Sequence, residues 1–175
     1  MKIRLKTLQS FNLDFTLCCG QVFTWEKQGE WWYGTVGDKV FKTRQSADTL
    51  EFENANADFV ENYFRLDDDL QNIYSQIAKD EILKTAVEQF KGLRITRQEP
   101  WECLASYICA TYKNIPAIKQ MLHNLSKKFG EKTRLDDQVF YTFPTVAKIA
   151  RATNSELAGC GLGYRAKYLS QTEIG

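Results

Sequence analysis

Alternating apolar and polar positions dominate the first third of the chain and predict an antiparallel sheet. Gln28-Gly29 and Gly37-Asp38 supply tight turns between successive alternating runs. Three of the four tryptophans fall within these runs, where we expect them to pack the sheet against a helix. The predicted strands are Ile3–Leu5, Val22–Glu26, Trp31–Val36, Lys39–Thr43 and Leu50–Phe52.

From about Asp58 the apolar period changes from two to 3.6, which predicts helices. Gly92 is expected to close one helix at its C′ position, and Pro100 to open the next at N1. Asn114 is expected to cap a further helix that Gly130 ends. The predicted apolar stripes are Phe59, Tyr63 and Phe64; Leu70, Ile73, Tyr74 and Ile77; Ile82, Leu83, Ala86, Val87 and Phe90. A further stripe suits a helical core, and the last is predicted to be buried: Trp101, Leu104, Ala105, Ile108 and Cys109; Ile118, Met121, Leu122, Leu125 and Phe129.

The last third is predicted as a polar loop over residues 131–139 followed by short helices. One runs from Thr145 to Ala150, and Thr153 to Glu156 matches the capping-box pattern of another. Three glycines interrupt the chain before a last amphipathic helix over residues 165–174. The fold class is therefore α+β, with a sheet domain over residues 1–78 and a helical domain over residues 79–175.

Composition is that of an ordinary globular protein, with 43% hydrophobic and 26% charged residues. No apolar run reaches the length of a membrane span and no signal-peptide core is present, so we expect a soluble, intracellular protein without a membrane partner. The five cysteines form no C-x-x-C pair, and His123 is the single histidine, so neither a metal site nor a disulfide framework is expected. Cys103 and Cys109 are predicted as core residues and His123 as a surface residue.

The net charge of +1 hides an asymmetry along the chain. Residues 1–90 carry 10 Lys/Arg and 15 Asp/Glu, whereas residues 91–175 carry 13 Lys/Arg and 7 Asp/Glu. A basic second half is typical of a surface that meets a polyanion, and it is equally typical of a chance mixture of solvated charges.

Two local segments combine residue types that suit contact with nucleic acid. The turn that contains Tyr112, Lys113 and Asn114 offers a ring to stack, a cation for phosphate and an amide for base edges. It is also typical of an ordinary interhelical turn in which Asn114 only caps a helix. The Gly161–Tyr168 segment places glycines before a helix, and Tyr164 and Arg165 are expected to project from its first turn beside Lys167. The segment favours either close approach of a phosphate or a flexible connection.

Four motifs, in order, resemble those of the 8-oxoguanine DNA glycosylases. Gly20–Trp25 (GQVFTW) resembles the family's Gly-Gln-x-Phe-x-Trp, and Tyr63–Asp67 (YFRLD) resembles its Tyr-Phe-x-Leu-Asp. Gly92–Leu104 (GLRITRQEPWECL) is similar to the family's Gly-x-Arg-x-x-Arg-Gln-Asp-Pro-x-Glu-Cys-Leu. Gly161–Ala166 (GLGYRA) matches as well, and Phe143-Pro144 precedes it.

The resemblance implies a TATA-binding-protein-like antiparallel sheet domain followed by the all-helical domain of the helix–hairpin–helix DNA glycosylases. It implies an enzyme that flips the damaged base into a pocket and displaces it with a lysine amine, which also gives lyase activity. The main-chain carbonyl of Gly20 would accept the hydrogen that oxidation at C8 places on the purine N7, and guanine lacks that hydrogen. Tyr164 would act as the wedge in the duplex, and Arg165 would bind the orphaned cytosine.

The chain departs from better-known members of that family at two positions. Of their Asn-Asn-Asn turn only Asn114 is retained, beside Tyr112 and Lys113, and Ala117 stands where they have a second cytosine-reading arginine. Both departures put strict preference for cytosine opposite the lesion in doubt. We nevertheless expect Tyr112, Lys113, Asn114, Tyr164 and Arg165 to form the wedge and opposite-base surface.

No family-type catalytic lysine and aspartate are found in these residues, so the chain is expected to stop before the helix–hairpin–helix and to be inactive alone. The predicted function is removal of 8-oxoguanine from duplex DNA by a longer parent enzyme. The predicted partner is double-stranded DNA with an oxidised purine, without a cofactor, bound by a monomer in the nucleoid region of the cytoplasm or in a nucleus. The alternatives are a non-catalytic lesion-sensing module and an alkylpurine glycosylase of the same superfamily.

Overall fold

A five-stranded sheet is followed by helices, in the order that the apolar pattern predicts. The computed structural model describes residues 1–5 and 10–171. The strands are β1 (Lys2–Arg4), β2 (Trp25–Gln28), β3 (Trp31–Val36), β4 (Lys39–Ser46), β5 (Thr49–Glu53), β6 (Lys132–Leu135) and β7 (Gln138–Tyr141). The helices are α1 (Leu13–Cys18), α2 (Ala57–Tyr63), α3 (Leu70–Ile77), α4 (Glu81–Gln89), α5 (Pro100–Ala110), α6 (Ile115–Phe129), α7 (Val146–Arg151), α8 (Asn154–Leu157) and α9 (Arg165–Ser170).

The sheet is antiparallel, with strand order β1-β5-β4-β3-β2. Its register brings Lys2 of β1 and Arg44 of β4 opposite Glu51 of β5, and both cations form ion pairs with that carboxylate, at 2.6 and 2.8 Å. Cross-strand pairs of opposite charge favour one register over its neighbours. The predicted alternation and turns are therefore confirmed over most of the sheet.

The first long strand begins later than predicted, at Trp25 rather than at Val22. Phe23 packs against the helical core and so leaves the strand alternation. Trp25 is buried, and its ring occupies the place where a Cβ atom on residue 34 would be, 2.2 Å from the nearest ring atom. Residue 34 in β3 must therefore be glycine for Trp25 to pack.

The chain forms two compact units, and neither is a single continuous segment. The first comprises Met1–Gln21, Lys27–Trp32 and Lys42–Arg97, and the second comprises Val22–Glu26, Tyr33–Phe41 and Gln98–Gly175. The domain boundary at residue 78 stays a prediction. None of the described helices is long and apolar enough to cross a membrane.

Helix α1 in the first unit has no counterpart among the predicted elements. The Asn12 side chain caps it by accepting from the Phe15 amide at 2.9 Å, and Asp14 lies in its first turn, where a carboxylate suits the helix dipole. The helix has only six residues, too few to repeat an apolar stripe. The Asn12 cap and the Asp14 carboxylate are the local features that favour a helix start here.

Residues 92–97, here called the strap, lie outside any helix or strand but are closely bonded. The Gly92 carbonyl accepts from Asn12 at 2.8 Å, and the Gly92 amide donates to the Tyr74 hydroxyl at 2.7 Å. Gly92 has φ +89°, and a Cβ there would lie 2.8 Å from the Phe11 and Asn12 backbone. The expected C′ role of Gly92 is wrong, because α4 ends at Gln89 with Phe90 as its cap.

The apolar stripes of α3 and α4 are exposed at most of their residues, although such stripes ordinarily face a core. Helix α4 has no buried residue, and Ile82 is 81% exposed. The apolar side chains of α3 and α4 instead line an open groove of about 390 Å³ that includes Ile73, Leu83 and Phe90. Because no described element covers this groove, the stripes stay exposed although their helical period is as predicted.

The second unit packs α5 to α9 around one apolar core. Trp101, Ala105 and Cys109 of α5 lie in it, together with the predicted stripe of α6. Cys103 and Leu104 are exposed, so their predicted burial is wrong, because they lie on the other face of α5. His123 is exposed, as predicted.

A β-hairpin, β6–β7, replaces the predicted polar loop over residues 131–139. Leu135 pairs with Gln138 across its turn, and Asp136 adopts φ +53° within that turn. Tyr33 anchors the hairpin, since its ring stacks on Phe140 at 5.9 Å and its hydroxyl donates to Asp136 at 2.9 Å. These are long-range contacts, which a local polarity pattern cannot reveal.

The final helices follow their predicted caps. The capping box is confirmed, because the Thr153 hydroxyl accepts from the Glu156 amide and the Glu156 carboxylate accepts from the Thr153 amide. A wide π-type turn over Ala158–Leu162 follows, with Gly161 at φ +90°. Helix α9 ends at Ser170, and the part of the predicted helix near Ile174 lies outside the described residues.

Candidate nucleic-acid interface

The turn between α5 and α6 presents an aromatic ring to solvent. Tyr112 is 95% exposed and adopts φ +52°, a left-handed conformation that is unfavourable for a bulky side chain. The Lys113 amide closes the turn on the Ala110 carbonyl at 3.1 Å. Such strain in an exposed tyrosine is typical of a residue held for contact with a ligand.

Asn114 acts as the N-cap of α6, the simpler of the two roles expected for it. Its Oδ1 accepts from the Ala117 amide at 3.0 Å, and Pro116 stands in the first turn. The side-chain amide nitrogen makes no hydrogen bond within the described part of the chain, so one polar group of Asn114 still faces outward. Its predicted contact with base edges stays a prediction.

The glycine segment before α9 presents a second aromatic ring. Gly161 and Gly163 adopt φ +90° and +57°, conformations that suit glycine. Tyr164 follows and is 58% exposed, and its ring meets Tyr168 edge-on at 6.2 Å between centroids. The exposed ring of Tyr164 is compatible with the predicted wedge role, which stays a prediction.

Arg165 is buried, contrary to the projecting position expected from the sequence. Its guanidinium donates to the Thr111 carbonyl and, at 3.4 Å, to the Leu162 carbonyl. It also lies 4.5 Å from the centre of the Tyr164 ring. In this structure Arg165 joins the glycine segment to the turn that carries Tyr112, while its contact with an orphaned base stays a prediction.

The lysines near these segments differ in whether their ammonium groups have a partner within the described residues. Lys128 donates to the Glu156 carbonyl and Lys148 pairs with Glu131. Lys113 and Lys167 are exposed, and within residues 1–5 and 10–171 their ammonium groups have no hydrogen-bond partner. These two cations are available to phosphate oxygens.

Gly20 follows α1 in the first unit, and its main chain is exposed to solvent. It adopts φ +86°, and nothing lies within 4 Å of the place of a Cβ atom. Among the described residues, none forms a hydrogen bond with the Gly20 carbonyl. An unused carbonyl beside empty space can accept a hydrogen bond from a ligand, and the assignment of that ligand stays a prediction.

Sequence reasoning missed a buried carboxyl group in α5. Glu102 is 4% exposed and accepts from the Gly37 amide at 3.1 Å. Thr24 Oγ1 lies 3.1 Å from Glu102 Oε1 and 2.8 Å from the Thr35 carbonyl oxygen, yet the hydroxyl has a single hydrogen. Both contacts are satisfied when Glu102 is protonated, and burial raises the pKa of its carboxyl to about 7.

Metal-binding side chains do not gather in the described ranges. Among these residues no three His, Cys, Asp or Glu side chains lie close enough to hold an ion. Cys18, Cys19 and Cys103 are exposed free thiols, and Cys109 and Cys160 are buried free thiols.

Comparison with known proteins gives consistent matches. Residues 3–104 match the family model described as 8-oxoguanine DNA glycosylase, N-terminal domain. The N-glycosylase/DNA lyase of Saccharomyces cerevisiae is 38% identical over 112 residues, which cover 63% of this chain and 30% of the yeast protein.

Solved structures agree in fold as well as in sequence. The 8-oxoguanine glycosylase/lyase of Clostridium acetobutylicum in its apo-form has a TM-score of 0.91 and 32% identity, covering 98% of this chain and 62% of that one. Its complex with dsDNA containing cytosine opposite to 8-oxoG has a TM-score of 0.88 and 31% identity, covering 97% and 62%. This chain thus spans less than two thirds of the length of these relatives. Because the family model matches more than half of its 175 residues, the chain belongs to the family of the 8-oxoguanine DNA glycosylase N-terminal domain.

Proposed function

We propose that this chain is the DNA-recognising part of a base-excision repair enzyme that flips 8-oxoguanine out of duplex DNA and removes it. The observation that carries the proposal is the exposure of the Tyr112 ring, which projects from a left-handed turn between two core helices. A ring held in this way can stack on bases, while Lys113 and Lys167 meet phosphates. The solved relative that binds DNA with cytosine opposite 8-oxoG supports this substrate.

The proposal divides the labour between this chain and the rest of a family-length protein. Within these residues we assign lesion contact to Gly20 and duplex contact to the turn and glycine segments. We assign no catalytic residue here, and place the nucleophilic lysine and its aspartate in the remaining part of the parent, which would supply the lyase step. The whole protein would act as a monomer on chromosomal DNA, in a nucleoid or a nucleus.

Binding of a labelled duplex that contains 8-oxoguanine opposite cytosine tests the proposed interface. Tyr112→Ala should weaken binding about tenfold, because a base–aromatic stack contributes about 1–3 kcal/mol. Tyr107→Ala is the matched control, since Tyr107 is also exposed, at 76%, but lies within α5 and not in the turn. Equal affinities of the two variants would refute the role of the turn.

The choice of duplex separates the alternatives. A preference for methylated purines over 8-oxoguanine would favour an alkylpurine glycosylase. Borohydride trapping of the 175-residue chain on an 8-oxoguanine duplex should give no covalent adduct, because none of its lysines matches the nucleophilic lysine of the family. The longer parent should give one, and its failure to do so would favour a non-catalytic sensing module.

A further inference from the structure

The side chain of Gln21 pairs with the main chain of one distant residue. Its Nε2 donates to the Thr96 carbonyl, and its Oε1 accepts from the Thr96 amide, both at 2.9 Å. The two residues are 75 positions apart, and Thr96 is only 3% exposed. A planar amide that both donates and accepts fixes direction as well as distance, much as one rung of a sheet does.

The strap that carries Thr96 is itself held firmly. The buried guanidinium of Arg94 donates to the carbonyls of Ser10, Arg65 and Asp68. Beside Thr96, the Arg97 amide donates to the Tyr63 carbonyl at 2.9 Å. The Arg97 guanidinium also pairs with the Asp67 carboxylate at 2.7 Å, so both arginines of the Gly92–Leu104 motif act here as scaffold.

The same strap also holds the helix that leads to Gly20. The Arg94 amide donates to Thr16 Oγ1 at 3.2 Å, and Thr16 in turn donates to the Asn12 carbonyl at 2.7 Å. Thr16 lies in α1 four residues before Gly20, and Gln21 follows Gly20 directly. The strap therefore anchors the chain on both sides of Gly20.

Gly20 has no bond of its own to fix its carbonyl, as far as the described residues show. Its position is set by the neighbours that the strap holds. We propose that Gln21 is a positioning residue that aims the Gly20 carbonyl at the N7 hydrogen of a purine oxidised at C8. This inference rests on the proposed function of Gly20 as the lesion contact.

The preference for the damaged base would then depend on the orientation of the Gly20 carbonyl. A hydrogen bond weakens steeply as its angle departs from linear, so a small rotation of the Gly20 peptide loses the contact. Guanine offers no hydrogen at N7, so binding of the undamaged duplex does not use that contact. Loss of the Gln21 pairing should therefore affect the damaged duplex and leave the undamaged one unchanged.

Gln45 provides a matched control in the same unit. Its Oε1 accepts from the Leu13 amide at 2.8 Å and its Nε2 donates to the Phe11 carbonyl at 2.9 Å, so it is also a two-point clamp on main chain. It holds the start of α1, whereas Gln21 holds the chain beyond its end. Gln21→Met and Gln45→Met each remove one such clamp and keep an unbranched side chain.

The experiment measures the ratio of affinities of the 175-residue chain for an 8-oxoguanine duplex and the same duplex with guanine. We expect Q21M to lower this ratio about tenfold at unchanged affinity for the guanine duplex, and Q45M to leave the ratio as it is. An unchanged ratio in Q21M, or the same fall in both variants, would overturn the inference.

A second measurement without DNA separates this inference from the proposed function. NMR shifts of the Gly20 amide and carbonyl, and exchange of the Thr96 amide, should change in Q21M and not in Q45M. If the natural chain shows no preference for the damaged duplex, the lesion role of Gly20 fails, and these shifts still decide the positioning role. Gly20 shifts that stay constant in Q21M would overturn it.

Discussion

The guanidinium of Arg165 donates a hydrogen bond to the main-chain carbonyl of Thr111, 54 residues earlier in the chain. Thr111 directly precedes Tyr112, so the contact fixes the point from which the exposed ring projects. Arg165 is 4% exposed, and its Nε has no hydrogen-bond partner among the described residues. Burial of a charged guanidinium with an unpaired donor costs free energy, and the hydrogen bond to Thr111 offsets part of that cost.

Arg165→Met should destabilise the chain by about 1–3 kcal/mol, because the Thr111 carbonyl loses a charged partner. Urea unfolding measures this change. Lys167→Met on the same helix removes an exposed cation without a hydrogen-bond partner in the described structure, and it should alter stability by less than about 0.5 kcal/mol. Equal losses in the two variants would show that the Arg165 contact contributes nothing.

Tyr112→Gly and Tyr112→Ala should differ in stability and agree in DNA binding. Alanine keeps a Cβ at φ +52°, whereas glycine tolerates that conformation, so the glycine variant should be more stable by about 1 kcal/mol. Both remove the ring and should bind an 8-oxoguanine duplex about tenfold more weakly. A more stable alanine variant would mean that the turn is not left-handed in solution.

Glu102 should make the chain less stable as the pH rises. Its pKa is about 7 in the folded chain against 4.5 ordinarily, so its contribution to stability is full below pH 4.5 and is lost as the pH rises through 7. The loss amounts to about 3 kcal/mol at the usual 1.36 kcal/mol per pKa unit.

Glu102→Gln tests this assignment of a proton. A neutral amide can accept from Gly37 and donate to Thr24, as the protonated acid does. The variant should match the natural chain in urea unfolding at pH 4 and exceed it in stability at pH 8. A variant that is weaker at both values would show that Glu102 is charged when folded.

Gly92→Ala should cost about 2 kcal/mol or more, because φ +89° is strained for alanine and its Cβ would meet backbone at 2.8 Å. Gly29→Ala shares the positive φ, at +60°, but has nothing within 4 Å. The difference between the two measured losses in free energy of unfolding gives the steric contribution of the Cβ atom at residue 92. No difference would mean that the strap shifts readily.

Ala117→Arg should increase the preference for cytosine opposite the lesion. The position lies in the first turn of α6, three residues after the Asn114 cap, and an arginine there adds a donor fork for a base edge. Competition binding with cytosine and with adenine opposite 8-oxoguanine measures the effect, for which we expect a few-fold change. Lys119→Arg, two residues further along the same helix, serves as a control in which the charge is conserved.

Local signals predicted most of the fold. Alternation with Gly37-Asp38 turns placed β3 without error, and caps such as Asn114 and Thr153 placed the starts of α6 and α8. These features depend on residues a few positions apart, which a single sequence displays directly. The hairpin at residues 132–141 depends instead on Tyr33, about a hundred residues away, and was missed.

The exposure of the candidate site residues could be predicted for Tyr112 and Tyr164 but not for Arg165. Tyr112 and Tyr164 combine exposure with aromatic character, which composition alone favours at a binding surface. The burial of Arg165 could not be predicted, because its partner Thr111 is distant in sequence. Gln21 belongs to the Gly20–Trp25 motif, but the positioning role proposed for it depends on a pairing with Thr96 that no local pattern encodes.

The open carbonyl of Gly20 bears on how such an enzyme can diverge. A contact made by main chain cannot be exchanged for another chemistry by substituting the residue that carries it, since every residue has the same carbonyl. Under the lesion role proposed for Gly20, selection for a different lesion would therefore have to act on the surrounding residues that hold its carbonyl, among them Gln21 and the strap. Engineers who wish to retarget this fold would begin with those supporting residues and leave the glycine in place.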